Sequence, residues 1–200
     1  MKLRSIFLLL PLFFSFTQAS GNDRFLQEIA TVFTPDEGLP DTAFSDIRLD
    51  ESGNILAVSA GGEFVYEDES WKISSKPSSD PAKGQKDSND KALSTAEYRQ
   101  KEFVGKKDGL FVQGKKKNEW IEVFPSDGNY SWKLTNVTVL LADSRDRLWF
   151  GSNEGAGYLQ NGVWHLFTGK EGLPYKYFTC IAEGADGEIW YGTRKGAIRT

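Results

Sequence analysis

An all-β propeller of about four four-stranded blades is the fold class this sequence predicts. Three observations predict it. Two short motifs recur in the same order along the chain, their glycines keep a common period of about 45 residues, and short β-rich runs alternate with turn-forming clusters inside each period. The first motif is Phe33-Thr34-Pro35-Asp36-Glu37-Gly38-Leu39-Pro40, which returns as Phe167-Thr168-Gly169-Lys170-Glu171-Gly172-Leu173-Pro174. A partial copy, Phe124-Pro125-Ser126-Asp127-Gly128, stands one period earlier. The second motif is Leu148-Trp149-Phe150-Gly151-Ser152-Asn153-Glu154-Gly155, aligned with Ile189-Trp190-Tyr191-Gly192-Thr193-Arg194-Lys195-Gly196. Weaker copies run from Phe103 to Gly109 and from Ile55 to Gly62, so the closing glycines fall at 62, 109, 155 and 196.

The elements of each unit follow in order. Phe44 to Leu49, Val137 to Ala142 and Phe178 to Ala182 read as first strands, closed by turn clusters such as Asp50-Glu51-Ser52-Gly53-Asn54 and Gly184-Ala185-Asp186-Gly187. The Trp149 and Trp190 runs are second strands. Third strands are expected at Glu63 to Tyr66, Leu110 to Gln113, Gly157 to Gln160 and Ala197 to Arg199, and fourth strands at Trp71 to Ser74, Trp120 to Phe124 and Val163 to Phe167. Trp149 and Trp190 sit mid-strand in repeat register and read as wedges between blades, as do Trp71, Trp120 and Trp164. The blade units lie roughly at 28–74, 91–124, 133–168 and 174–200. Residues 75–90, rich in Ser, Lys and Asp, read as a flexible loop within the propeller region 20–200.

The ends of this repeat are complementary. The last unit stops after its third strand, while residues 28–34 read as a fourth strand with no blade of its own. If the 200 residues are the whole protein, residues 28–34 are expected to pair antiparallel with 197–199 and close a compact four-bladed ring. If they are the front part of a longer one, an open arc with an unpaired edge is expected.

Lys2 and Arg4, an apolar run from Ile6 to Phe16, and Thr17-Gln18-Ala19-Ser20 have the layout of a secretory signal peptide at 1–19, which places the mature chain in the periplasm or outside the cell. The apolar run is about half the roughly 20 residues that a spanning helix needs. The net charge of −4 becomes more negative once this leader is removed, which argues against nucleic acid as partner. Cys180 is the sole cysteine, so no intrachain disulfide forms.

The pattern F-T-x-x-x-G-L-P, a strand, then D-x-x-G-x-I-W-x-G-T-x-x-G resembles the two-component regulator propeller repeat, most clearly between Phe167 and Ile198. The resemblance implies an extracytoplasmic sensor region that recognises glycans or other small ligands. It also implies a membrane-bound kinase region as partner where the chain belongs to a longer protein.

Strands alternate direction within a blade, so the loop from each fourth strand to the next first strand shares a rim with the loop between second and third strands. Ligand recognition is expected there. The candidate ligand-binding residues are Tyr130, Trp132, Asn153, Glu154, Tyr175, Lys176, Arg194 and Lys195, with Asp36, Glu37 and Tyr177 on the same loops. Aromatic rings beside charged and amide groups suit the faces and hydroxyls of sugars. His165 falls in a fourth strand, no His, Cys or carboxylate cluster has metal-ligand spacing, and no cofactor motif is present, so no catalytic or metal residue is assigned. A propeller lyase or hydrolase with paired rim carboxylates is the alternative, and a protein-interaction scaffold the next. The sequons Asn129-Tyr130-Ser131 and Asn136-Val137-Thr138 bear on function only in a eukaryotic secretory pathway.

Overall fold

A computed structural model describes residues 30–75, 92–128, 131–167 and 177–200. The expected leader, Tyr130, Tyr175, Lys176 and the loop at 76–90 lie outside the described residues. Four antiparallel four-stranded sheets make up the fold. Blade one is β2 (Phe44–Leu49), β3 (Ile55–Ser59), β4 (Gly62–Glu67) and β5 (Ser70–Ser75). Blade two is β6 (Ser94–Tyr98), β7 (Lys101–Lys106), β8 (Gly109–Gln113) and β9 (Trp120–Val123). Blade three is β10 (Val139–Ala142), β11 (Leu148–Gly151), β12 (Ala156–Gln160) and β13 (Val163–Phe167). Blade four is β14 (Phe178–Glu183), β15 (Ile189–Thr193) and β16 (Gly196–Arg199), completed by β1 (Thr31–Phe33).

The expected return of the N-terminal strand is present, with Thr31 opposite Arg199, Val32 opposite Ile198 and Phe33 opposite Ala197. Phe33 then stacks on Trp190 with ring centroids 5.5 Å apart, beside Tyr66 and Trp71. From β1 the chain turns through a short 3-10 segment, Pro35–Glu37. Thr34 caps that turn: its backbone N–H and its hydroxyl donate to Glu37 Oε2 at 2.7 and 2.6 Å, which holds the Glu37 carboxyl below its ordinary range. Gly38, at φ 94°, supplies the left-handed residue that ends the turn. Thr34, Glu37 and Gly38 therefore have a mechanical role in this copy of the motif, and Glu37 is engaged within its own loop.

Strand β10 begins two residues later than expected because the preceding backbone bonds across to other strands. Val137 N–H donates to Lys106 O at 3.0 Å and Thr138 N–H to Gly151 O at 3.1 Å. Strand β6 was not expected as an element. Its sequence Ser-Thr-Ala-Glu-Tyr is polar and lacks a G-L-P lead-in, but Ala96 and Tyr98 turn inward to the core.

Three apolar clusters weld the blades. One holds Tyr98, Phe103, Leu110, Leu148 and Phe150 between blades two and three. A second holds Trp149, Phe167, Phe178, Ile189 and Tyr191 between three and four. The third holds Phe33, Phe44, Phe64, Trp71 and Trp190 between four and one. No such cluster joins blade one to blade two among the described residues, and the inner strands meet in the order β6, β10, β14, β2. The expected compact ring is corrected accordingly: the closing strand is in place, but the described blades form an arc running two, three, four, one.

The second motif sets how closely neighbouring blades approach. Gly105, Gly151 and Gly192 occupy one position in blades two, three and four, and each receives the first strand of the next blade. An added Cβ would lie 2.3 Å from Val137 O at Gly105, 2.8 Å from the Phe178 ring at Gly151 and 3.1 Å from Phe44 Cβ at Gly192. At Gly105 the clash is with backbone, and at Gly151 and Gly192 the packed side chains and strand would have to shift to admit a Cβ. In blade one the same position is Val58, opposite Asp46 of β2, so blade one lacks the glycine that the other three blades carry there.

Candidate ligand-binding site

The hairpins joining second to third strands set the rim. The residue after the close-approach position is a buried hydroxyl in blades one, three and four, Ser59, Ser152 and Thr193. Ser152 Oγ accepts from Glu154 N–H at 3.2 Å and donates to Gly155 O at 3.1 Å. Thr193 Oγ1 does the same with Lys195 N–H at 3.1 Å and Gly196 O at 2.8 Å. Each hydroxyl thereby fixes a tight connection that presents the following residue, Asn153 in blade three and Arg194 in blade four.

The lead-in to blade three threads between two of these hairpins. Thr135 is gripped by blade three: Glu154 accepts from its N–H at 2.7 Å and from its hydroxyl at 2.6 Å, and Asn153 N–H donates to Thr135 O at 3.0 Å. Asn136, at φ 48°, donates its N–H to Lys107 O of blade two at 2.9 Å. Thr138 Oγ1 then donates to Phe178 O of blade four at 2.6 Å. These bonds tie three blades together around one depression.

That depression is a cleft of about 480 Å³ lined by Asn136, Thr138, Asn153, Tyr177, Thr179 and Arg194, with Leu93 and Phe178 at its floor and side. Arg194 stands with its guanidinium carbon 4.3 Å from the Tyr177 ring centroid. Two of the expected site residues, Asn153 and Arg194, therefore converge from adjacent blades. Glu154 has both carboxylate oxygens engaged by Thr135 and braces the loop instead. Lys195 is exposed one residue beyond the cleft. Trp132 meets Phe150 edge-on at 6.3 Å and covers Gly155, where an added Cβ would stand 3.0 Å from its ring, so the structure gives this indole a packing role. Tyr130, Tyr175 and Lys176 fall outside the described residues.

Asn136, Thr138 and Thr179 were not among the expected site residues. Asn136 and Thr138 had drawn notice only as ends of a sequon. The usable signal was their place just before a first strand, where the lead-in reaches the centre of the arc.

The other reactive side chains are held in packing roles. His165 lies on β13 and stacks on Tyr158, with centroids 4.5 Å apart. Burial pushes the Cys180 thiol up to about 12. Cys180 is therefore expected to react with a thiol-labelling reagent at neutral pH far more slowly in the native protein than after unfolding in denaturant, since only the thiolate attacks. Equal rates in the two states would show that the blade four to blade one interface is open.

On the opposite face, the turns between first and second strands form a separate polar network. Asp143 accepts from Arg145 N–H, Arg147 N–H and Trp149 Nε1 at 3.0, 2.8 and 2.7 Å, and pairs with the Arg147 guanidinium. Arg99 with Asp146, and Ser144 with Glu183, carry the stitching to the neighbouring blades. Among the described residues, no three His, Cys, Asp or Glu side chains gather as a metal site.

The repeat places this chain among known sequences. The profile of the family described as two component regulator propeller matches residues 172–195, which span the blade-four lead-in, β14, β15 and the Arg194 hairpin. Residues 172–195 thus match the two-component regulator propeller repeat. Comparison with curated protein sequences finds no match. Among solved structures, this repeat protein is similar to BT3049 of B. thetaiotaomicron, assigned as the extracellular domain of a hybrid two component system. Identity is 13% over 83% of this chain and 22% of that one, with a TM-score of 0.46. PorZ of Porphyromonas gingivalis, a surface component of the type-IX secretion system, is 14% identical over 78% of this chain and 31% of its own, with a TM-score of 0.43. Virginiamycin B lyase from Staphylococcus aureus is 15% identical over 82% and 53%, with a TM-score of 0.39. The chain thus spans about a fifth of the length of the first of these proteins. At such identities and TM-scores the likeness carries no functional inference.

Proposed function

We propose that this chain is an exported ligand-binding propeller region, which recognises a glycan or another small extracellular molecule in the rim cleft and serves a two-component sensor. The observation that carries the reading is the convergence of Asn136, Asn153, Tyr177 and Arg194 on one cleft held by three blades. Amides and a partly exposed ring present hydrogen-bonding groups beside an apolar face, which is the pairing that sugars need. The two-component regulator propeller repeat and the basic, apolar, small-residue order of residues 1–19 support export and sensing. In a longer protein, a membrane-bound kinase region would read the bound state.

A thermal-shift screen of the purified chain against a panel of oligosaccharides tests the reading. A ligand at about 100 times its Kd stabilises the native state by about 2.7 kcal/mol. For a chain of this size that raises Tm by roughly 5–10 °C. The substitution Asn153→Ala should abolish the shift while leaving the unliganded Tm nearly in place. If no sugar stabilises the protein, the glycan reading fails; if a screened polysaccharide is steadily cleaved, a lyase or hydrolase takes the place of a binder.

A further inference from the structure

Arg194 differs from the other described arginines in being exposed while its contact is a ring rather than a carboxylate or carbonyl. Arg48 pairs with Asp46, Arg99 with Asp146 and Arg147 with Asp143. Arg145 donates to Asp186 O at 2.6 Å, and Arg199 lies over the rings of Phe33, Tyr66 and Trp190. Arg194 has no carboxylate or carbonyl partner among the described residues, and its contact is the Tyr177 ring beneath it. An arginine with its donors unspent, held by a ring at the edge of a polar cleft, is a guanidinium positioned for an external acceptor.

Tyr177 supplies an independent observation. Its φ of 77° lies in the left-handed region, where a bulky L-residue is strained by about 1–2 kcal/mol. Glycine would adopt that backbone at no steric cost. The strain places the phenol ring directly under the guanidinium and leaves the ring half exposed. Strain of this kind persists where a side chain has to be held in one position, and it marks sites. Beside the pair, Asn153 Nδ2 donates weakly to Thr135 Oγ1 at 3.4 Å, which leaves its carbonyl oxygen for a hydroxyl donor. The Asn136 side chain is also on the cleft wall. The site is thus cationic at one end and amide-lined at the other, in a chain whose net charge is −4.

We infer that, granted the binding reading above on which this rests, the ligand is an acidic sugar. Its anionic group lies in the fork of Arg194 and its hydroxyls against Asn136 and Asn153. A carboxylate, sulfate or phosphate substituent accepts two parallel hydrogen bonds from a guanidinium and neutralises its charge, whereas a neutral hydroxyl accepts one and leaves the charge uncompensated. The cleft therefore discriminates for charge more strongly than for the sugar ring.

The test uses galacturonate oligomers as free acids and as methyl esters, a sulfated galactan oligomer, a phosphorylated hexose and inorganic phosphate, each titrated by calorimetry. The free acid should bind at least about tenfold more tightly than its ester, tenfold being 1.4 kcal/mol. That preference should shrink as salt is raised, because an exposed charge pair is screened. Arg194→Gln should bring acid and ester to the same affinity with the Tm unchanged. Tyr177→Gly should raise or preserve the Tm through relief of the left-handed strain, yet weaken acid binding by a similar factor. The sulfated and phosphorylated arms identify which anion the fork prefers. If the ester and acid bind equally to the native protein, the charge assignment is overturned while the sugar-binding reading stands. If inorganic phosphate binds as tightly as every sugar, the site is an anion site and the sugar assignment is overturned. If nothing binds, the broader reading fails with it.

Discussion

Replacing Gly196 by alanine is expected to detach β1 from blade four and to lower stability by about 3–5 kcal/mol, the range for losing a large aromatic from a core. Gly196 sits at φ 146°, and an added Cβ would lie 1.9 Å from Phe33 O and 3.1 Å from Phe33 C. Both are backbone atoms of the closing strand, so no side-chain rotation relieves the clash. The strand has to move. When it does, Phe33 leaves its stack on Trp190, and the Tyr66 and Trp71 rings of blade one lose the partner that links them to blade four. Urea unfolding should show the loss, and hydrogen exchange should show Thr31–Phe33 losing protection before any other strand. Gly162→Ala is the control. It has a φ of 80° but nothing within 4 Å, so only the left-handed backbone cost of about 1–2 kcal/mol applies. If the two variants were equally stable, β1 would not be holding the interface between blades four and one.

The same position shows how much of the fold was legible in the sequence and why. Closing glycines, tryptophans and the F-T-x-x-x-G-L-P lead-in recur because each performs one geometric task per blade, so periodicity alone located most strands. Strand β6 escaped because an inner strand flanked by polar residues has no wedge tryptophan or G-L-P signal, and its inward residues are only Ala96 and Tyr98. Blade one departs from the others at Val58, but a valine in a β-strand reads as favourable until the close approach at Gly105, Gly151 and Gly192 is seen. The site was legible in part. Asn153 and Arg194, expected from loop position alone, line the candidate cleft, whereas Glu154 and Trp132 are chemically as suitable and are occupied by Thr135 and Phe150. Which rim residues are free and which are bracing depends on contacts between blades. No single repeat contains that information.

The turns on the opposite face give the last expectation. In blade three, the side chain of Asp143 is fully buried and satisfies Trp149 Nε1, two backbone N–H groups and the Arg147 guanidinium. Asp143→Ala should cost about 3–5 kcal/mol, because Arg147 then keeps a mostly buried charge with no counter-charge. Blade four solves the same problem differently. Gly184 stands where Asp143 does, and the Glu188 carboxylate fills the vacated space, accepting from Trp190 Nε1 at 3.0 Å and Asp186 N–H at 3.1 Å. A Cβ on Gly184 would meet Glu188 Oε1 at 2.0 Å. Blade one shows the third version, Asp50 with Asn54, where Asp50 Oδ1 accepts from Ser52 and Asn54 N–H groups at 2.8 and 2.9 Å. Gly184→Asp alone should therefore destabilise by crowding Glu188, and Glu188→Asn alone by stranding the Trp190 N–H. The double variant rebuilds the blade-one arrangement in blade four, with the new aspartate placed as Asp143 is to receive the indole. Its stability should exceed the sum of the two single changes by about 1–3 kcal/mol in a double-mutant cycle measured by urea unfolding. Simple additivity would mean that the acid at this turn is interchangeable surface charge, and that the spacing from Asp143 to Trp149 is a coincidence of the repeat.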